Sequence, residues 1–331
     1  MKDYKVAVLG ATGVVGREMI NVLAERNFPV SELVPLASAR SVGKEISFDG
    51  RVFKVAEAGP DAFKGCDIVL GAAENDISKA MLPYIKESGA VYIDNSSAFR
   101  LDPDVPLVVP EVNAEDVKLH KGVIANPNCV TIIAAVAMAP ILGLSPIKTI
   151  VASSYQAVSG AGAKGLAELE KQADDYPQGK ELEVNAFAHQ ILFNLIPKIG
   201  GVGENGYSSE EMKLQNEGRK IMHLPELKVC CTCVRVPVLR SHSISIQLVT
   251  EKKLELDEIR AAMEKGAGVR LYDDPSSEIY PMPLVASDQD LVYVGRIRRD
   301  LINENGIAFW CCGDQIRKGA ATNAVQISEL L

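Results

Sequence analysis

A chain of 331 residues exceeds the size at which a single hydrophobic core stops growing, so about two domains are expected. Hydrophobic residues at 47% and charged residues at 24% describe an ordinary globular protein, and a net charge of -8 leaves no basic stripe for nucleic acid. Seven cysteines without regular spacing argue against a disulfide framework and fit a reducing, cytoplasmic setting.

The opening residues run straight into a strand pattern, which leaves no room for a signal peptide. The longest uncharged interval, between Lys121 and Lys148, is interrupted by Asn126, Pro127, Asn128, Pro140 and Pro146, so no membrane span is expected. Lys5-Val6-Ala7-Val8-Leu9 reads as a central parallel strand. It ends in Gly10-Ala11-Thr12-Gly13-Val14-Val15-Gly16, and helical spacing continues from Arg17 through Met19, Ile20, Val22 and Leu23 to Arg26. Strand, glycine turn and helix make the context of a dinucleotide site, although the glycines fall as G-x-x-G-x-x-G. A second strand, Leu33-Val34-Pro35-Leu36-Ala37, ends in Ser38-Ala39-Arg40-Ser41. An acidic residue there would hold a ribose 2′-hydroxyl, whereas a guanidinium suits a 2′-phosphate, so NADP is favoured over NAD; a solvated loop arginine is the plain alternative.

Strands at Ile68-Val69-Leu70-Gly71 and Val91-Tyr92-Ile93 flank a helix over about residues 76–87, a rhythm that predicts a Rossmann-like doubly wound parallel sheet. Asp94-Asn95-Ser96-Ser97-Ala98-Phe99-Arg100 leaves that sheet at a strand's C-terminal end, where such folds place ligands. Val123-Ile124-Ala125 then delivers Asn126-Pro127-Asn128-Cys129 to the same rim. Pro127 and Asn128 signal a helix start that puts Cys129 in the first turn. There the helix dipole favours thiolate and unpaired amides can receive an oxyanion. Taken alone, such a cysteine also fits simple core packing.

After Pro146 the rhythm changes to that of an α+β domain. Residues 147–153 read as a strand, followed by the polar run from Ser154 to Gly162 and a charged helix ending near Tyr176. Residues 208–222 read as a helix capped by Ser208 or Ser209, with Glu210 and Glu211 in its first turn. Residues 229–237 and 243–250 alternate as strands and are expected to pair as antiparallel neighbours. A helix over 256–265, strands at 291–294 and 307–310, and a terminal helix over 315–331 complete the chain. The expected division is a nucleotide-binding domain over 1–128, completed by 315–331, and a second domain over 129–314.

Arg235, between Val234 and Val236, fits either an internal salt bridge or an anion clamp. His242 opens a strand and fits either a structural or a chemical role. Cys230-Cys231-Thr232-Cys233 with His223 lacks tetrahedral ligand spacing, and with Cys311 and Cys312 reads as small hydrophobes on strands, so no metal is expected.

The glycine turn at Gly10, Asn126-Pro127-Asn128-Cys129, Ser154-Tyr155-Gln156-Ala157-Val158-Ser159-Gly160-Ala161-Gly162, and Arg235-Val236-Pro237-Val238 followed by His242 stand in one order. Together they resemble the aspartate-β-semialdehyde dehydrogenases of bacterial type, over essentially the whole chain. The resemblance implies that L-4-aspartyl phosphate is reduced reversibly to L-aspartate 4-semialdehyde with NADPH, in the biosynthesis of lysine, threonine, methionine and isoleucine. It implies Cys129 as thioester-forming nucleophile, His242 as general acid/base, Gln156 as the amide that orients substrate, and Arg235 as the clamp on the substrate α-carboxylate. By the same resemblance Glu210 contacts the substrate amine, and Lys213 and Arg100 hold phosphate. Gly10, Thr12, Gly13, Val14, Val15, Gly16, Ser38, Arg40, Ser41, Ser159, Gly160 and Asn323 match cofactor-contacting positions. A homodimer or homotetramer built through the second domain is implied as well. The alternative enzyme of the same fold, N-acetyl-γ-glutamyl-phosphate reductase, carries a Gly-Cys-Tyr type sequence where this chain has Asn128-Cys129-Val130. A non-catalytic NADP-binding scaffold is the alternative outside enzymes.

Overall fold

A computed structural model describes residues 3–331. The chain divides into two compact units, residues 3–128 with 320–331, and residues 129–319.

The first unit begins with β1 (Tyr4–Leu9), α1 (Val14–Glu25) and β2 (Val30–Ala37). A hairpin of β3 (Glu45–Phe48) and β4 (Arg51–Lys54) follows, then β5 (Ala56–Glu57), β6 (Ile68–Gly71), α2 (Asn75–Ser88), β7 (Val91–Asp94), α3 (Pro110–Asn113) and β8 (Val123–Ala125). Apart from the hairpin, these strands make a six-stranded sheet in the order β5-β2-β1-β6-β7-β8, with every pairing parallel. The chain reverses its direction of winding between β1 and β6, so ligands belong beside their carboxyl ends. Helix α1 covers the sheet because Met19, Ile20, Val22 and Leu23 fall on one face and join Val6, Val8, Ile68 and Leu70 in a single apolar core. Full burial of one such side chain contributes about 1.5–3 kcal/mol.

The β3–β4 hairpin was absent from the expected elements, although its signal is local. Asp49 and Gly50 take φ of 48° and 69°, the left-handed pair that a two-residue turn needs between strands of right-handed twist. The mostly exposed alternation of Glu45-Ile46-Ser47-Phe48 hides the strand from a reading based on apolar runs.

The second unit opens with α4 (Cys129–Leu142) and β9 (Ile147–Gln156), followed by α5 (Gly162–Asp175), α6 (Ser209–Ile221), β10 (Lys228–Arg235), β11 (His242–Thr250) and α7 (Leu256–Lys265). It closes with β12 (Val269–Leu271), α8 (Pro283–Ala286), β13 (Val292–Arg299) and β14 (Gly306–Gly313). Helix α4 is buried on all sides from Val130 to Met138, because α6, α7, β13 and β14 pack around it. Among the described residues no helix is long and apolar enough to cross a membrane.

The sheet of this unit runs β10-β9-β11-β14-β13-β12, which corrects one expectation. Strands β10 and β11 run in opposite directions but are not neighbours. Strand β9 lies between them, parallel to β10 and antiparallel to β11. The long β9, paired from Ile147 to Gln156, offers both edges for pairing, and residues 236–241 carry the chain across its end.

The last helix also starts later than expected. The Asp314 carboxylate accepts from the amides of Ile316 at 2.8 Å and Arg317 at 3.0 Å, and Gly319 N closes back on Asp314 O at 2.9 Å. These bonds hold residues 314–319 as a loop of the second unit. A wide π turn, Arg317–Ala321, then leads into α9 (Thr322–Ser328), which packs on α1 in the first unit.

Candidate active site

In the first unit, the amides of Gly10 and Ala11 both donate to Leu36 O, at 2.8 and 3.0 Å, so the turn after β1 is tied to β2. Gly10 has φ of +89°, and a Cβ there would stand 2.6 Å from the carbonyl oxygen of Ala72. A Cβ on Gly16 would strike the carbonyl of Gly10. Val14 and Val15 open α1 behind Gly13, with no side chain capping the helix and no acidic residue in its first turn. A helix start left in this condition is suited to a phosphate. Thr12 Oγ1 reaches Ser41 Oγ at 3.4 Å, joining the glycine turn to the short turn after β2. Ser38 and Arg40 lie exposed on that turn, whose own residues include no carboxylate, while Ser41 is buried. The donor set therefore fits a dinucleotide carrying a 2′-phosphate.

Arg100 is buried after β7, where its Nε donates to Asn126 O at 3.0 Å and its Nη2 to Asn95 O at 2.7 Å. Asn126 Nδ2 donates to Asn95 Oδ1 at 2.7 Å and to Ala320 O at 3.1 Å. Asn323 is fully buried and spends its amide hydrogens on Val108 O at 2.9 Å and Asn126 Oδ1 at 2.6 Å. The structure thus places Asn323 inside the framework that supports the segment before Cys129.

In the second unit, Cys129 is the first residue of α4 and half-buried. Its Cβ lies 3.1 Å from the position a Cβ on Gly319 would take. Gln156 ends β9, where Ser154 Oγ donates to its Oε1 at 2.9 Å and its Nε2 donates to Glu210 Oε1 at 3.3 Å. Glu210 stands in the first turn of α6, placed by a capping box in which Ser208 accepts from Glu211 N and Glu211 accepts from Ser208 N. Lys213, one turn on, donates to Glu210 Oε2 at 2.7 Å.

Arg235 ends β10 with 6% exposure and donates from Nη1 to Ala157 O at 2.6 Å. Burial lowers its pKa, while negative charge on Cys129 and Glu210 favours the guanidinium. Beside it opens a cavity of about 450 Å³ lined by Phe187, His189, Ile196 and Lys198. His242 opens β11 and is fully buried. Its Nδ1 accepts from the amide of Ala157 at 3.1 Å. Burial first, and then the nearby Arg235 charge, push its pKa down to about 3, with Glu210 opposing. A Cβ on Gly160 would stand 2.8 Å from Arg235 Nη1 and 3.3 Å from His242 Nε2. Ser159 Oγ accepts from Gln315 Nε2.

Of the residues singled out in this half, Gln156, Glu210 and Lys213 are therefore joined by hydrogen bonds, Arg235 and His242 both bond the backbone of Ala157 beside Gly160, and a negative charge on Cys129 would favour the Arg235 guanidinium. Four more that were given no role from the sequence take part: Ser154 and Ala157, within the run already quoted, and Gln315 and Gly319. Ala157 acts through its backbone and so leaves no residue-type signal, whereas Gly319 acts through its missing side chain. Gln315 accepts from Ser241 N at 2.8 Å and so links the Ser159 turn to the residue before His242. Among the described residues no group of three metal-ligating side chains is placed to hold an ion.

Residues 5–120 match the NAD binding domain of semialdehyde dehydrogenases, and residues 138–318 match their dimerisation domain. An aspartate-semialdehyde dehydrogenase of Aquifex aeolicus is 52% identical over 332 residues, covering 99% of this chain and 98% of that protein. The chain belongs to the aspartate-semialdehyde dehydrogenase family. Its relative in Bacillus subtilis is 44% identical, covering 100% of this chain and 98% of that protein. Among solved members of the family, aspartate semialdehyde dehydrogenase II of Vibrio cholerae superposes with a TM-score of 0.96 at 42% identity, over 100% of this chain and 98% of that one. The same enzyme has been solved with ASA, at 41% identity. The enzyme of Candida albicans, solved with NADP, superposes with a TM-score of 0.78 at 25% identity, over 100% of this chain and 98% of that one. No relative named here is an N-acetyl-γ-glutamyl-phosphate reductase, and the family assignment sets that alternative aside.

Proposed function

We propose that this chain converts L-4-aspartyl phosphate to L-aspartate 4-semialdehyde with NADPH and releases inorganic phosphate, and that it runs the reverse reaction as well. The observation that carries this reading is the opening of α4 by Cys129 in the same unit where Gln156, Glu210, Arg235 and His242 converge. Family membership supports reading that convergence as a dehydrogenase site.

Cys129 attacks the acyl carbon, where the amides that begin α4 favour both thiolate and oxyanion. Gln156 orients the substrate at the thiol, and Arg235 presents a planar fork suited to the α-carboxylate. Glu210 receives the substrate amine, while Lys213 receives the departing phosphate. Gly10, Thr12, Gly13, Val14, Val15, Gly16, Ser38, Arg40 and Ser41 of the first unit would hold NADP. Asn323 would support that site from beneath, through Asn126. The bound nicotinamide supplies hydride to the acyl carbon of the Cys129 thioester, and His242 serves the oxygen of that carbon. The chain assembles as a homodimer through its dimerisation domain, with a tetramer as a pairing of such dimers.

The test is NADP reduction with L-aspartate 4-semialdehyde and phosphate, measured for the natural chain and for Cys129→Ala. Turnover that needs phosphate and disappears in the variant, with nucleotide binding retained, is the expected result. Undiminished turnover by Cys129→Ala sinks the reading. Equal rates with and without phosphate would also reject it.

A further inference from the structure

Residues 179–207 follow α5 without forming a helix or strand, yet they are held at defined points. One face of α5 carries Glu168 and Gln172, both buried and one turn apart. Glu168 Oε2 accepts from the amide of Asn185 at 2.7 Å and also from the amide of Ala186. Gln172 donates from Nε2 to Glu183 O at 2.7 Å and accepts at Oε1 from Leu192 N at 3.0 Å. A buried carboxylate that meets main-chain amides forms charge-assisted bonds, and these two amides immediately precede Phe187.

The ring of Phe187 is placed from a second side as well. A Cβ on Gly165 of α5 would stand 3.0 Å from Phe187 Cζ, so the helix makes room for the ring tip by lacking a side chain. The ring centre then lies 5.9 Å from Arg235 Cζ, within cation–π reach. Ile196, further along the same segment, exchanges backbone hydrogen bonds with Arg235 at 2.9 and 3.0 Å. The segment therefore grips both the main chain and the head of that arginine.

Arg235 needs such a contact. Among the described residues its guanidinium makes one hydrogen bond, from Nη1 to Ala157 O at 2.6 Å. One bond fixes a point, whereas a planar fork serves a carboxylate only when its plane is fixed too. An aromatic face against the guanidinium supplies that constraint, and its negative quadrupole favours the charge that burial opposes. Phe187 and Arg235 also line the same cavity of about 450 Å³, so the ring borders space open to a ligand.

We propose that Phe187 is the positioning residue of the carboxylate clamp, holding the plane of the Arg235 guanidinium, and that Glu168 sets Phe187 through the two amides before it. This rests on Arg235 receiving the α-carboxylate in the reaction proposed above. The plain alternative is packing, since Phe187 also lies against the apolar cluster of Val158, Leu169, Ile191 and Leu192. Packing predicts a general loss of stability, whereas positioning predicts a loss confined to one substrate.

The test compares Phe187→Leu, which keeps an apolar side chain and removes the π face, with Phe187→Tyr, which retains that face. The first readout needs no substrate. Phenylglyoxal is reacted with the free protein, and modification of Arg235 is followed by mass spectrometry of its peptide. Phe187→Leu should be modified several-fold faster at Arg235, and Phe187→Tyr at the natural rate. An unchanged rate in Phe187→Leu overturns the proposal whatever the reaction proves to be.

The second readout is NADP reduction. Phe187→Leu should raise KM for L-aspartate 4-semialdehyde about tenfold, with kcat and the KM values for phosphate and NADP within about twofold of the natural chain. Phe187→Tyr should restore the natural KM, and Glu168→Ala should repeat the pattern of Phe187→Leu. A parallel loss in every kinetic constant with a lowered thermal midpoint would assign Phe187 to packing and overturn the proposal. Faster modification with an unchanged semialdehyde KM would overturn the clamp role of Arg235 on which the proposal rests, while the ring contact stands.

Discussion

Asn323 donates from Nδ2 to Oδ1 of Asn126 at 2.6 Å, so the last helix reaches the residue three places before Cys129. Both side chains are fully buried, and Asn126 also receives the guanidinium of Arg100 on its backbone oxygen. Asn323→Ala leaves the acceptor of Asn126 and the carbonyl of Val108 without this partner. A loss of about 1–3 kcal/mol is expected, visible as a lower urea midpoint with an unchanged denaturant slope. A midpoint equal to that of the natural chain would show that water replaces the amide at no cost.

Gly160→Ala introduces a methyl group 2.8 Å from Arg235 Nη1 and 3.1 Å from His242 Cε1. Arginine is the flexible partner and must move, which breaks its 2.6 Å bond to Ala157 O. The variant should fold with nearly natural stability yet bind the semialdehyde more weakly, by about tenfold, which corresponds to about 1.4 kcal/mol. A KM within twofold of the natural value would indicate that Arg235 is not held where substrate meets it.

The burial of His242 as a neutral ring has a consequence for stability. Between pH 3 and pH 6.5 the unfolded chain binds a proton at this residue that the folded chain refuses. Stability therefore rises with pH through that window, by about 1.4 kcal/mol per unit for this group. Its contribution is complete above pH 6.5 and is lost as pH falls toward 3. Urea unfolding at pH 5 and pH 7 should show a difference about 2 kcal/mol smaller in His242→Gln than in the natural chain. Equal pH dependence in the two proteins would mean that the ring titrates normally in the fold.

Asp314 is fully buried, with its carboxylate on Arg240 Nε at 2.6 Å and on the amides of Asp288, Ile316 and Arg317. Arg240→Gln removes the charged partner and leaves that carboxylate to the amides alone. The expected cost is about 1.5–3 kcal/mol, measured by thermal unfolding, with turnover lowered because Ser241 and His242 follow directly. Retained turnover together with the loss of stability would confine Arg240 to the scaffold.

The legible parts of this protein are those whose signals are local. The run from Lys5 to Gly16 states strand, turn and helix within twelve positions, and Gly10 explains itself once Ala72 is known to lie against it. Cys129 at a helix start follows from Pro127 and Asn128 in the same way. Long-range pairing was not legible, and β10 and β11 were expected as neighbours because nothing in either strand records that β9 lies between them. The site was legible through residues that act with side chains and hidden where the backbone acts. Ala157 contributes an amide and a carbonyl, and any residue type would supply both. Gln315, by contrast, carries a side chain able to signal a role, yet it stands in a segment expected to be helical.

The mixed direction of the second sheet has one further consequence. Gln156 and Arg235 finish parallel strands, and His242 begins the antiparallel one, so all three emerge at a single end of β9. Their spacing is set by strand register, which a one-residue slip would destroy by turning each side chain to the other face. The chain length between them is set by nothing comparable. Residues 179–207 lie outside the helices and strands of this unit, yet Ile196 exchanges two backbone hydrogen bonds with Arg235 and Phe187 stands against its guanidinium, so changes of length there leave the chemistry in place only where they spare those residues. Loop grafting in that interval is the natural route to altering what enters the site.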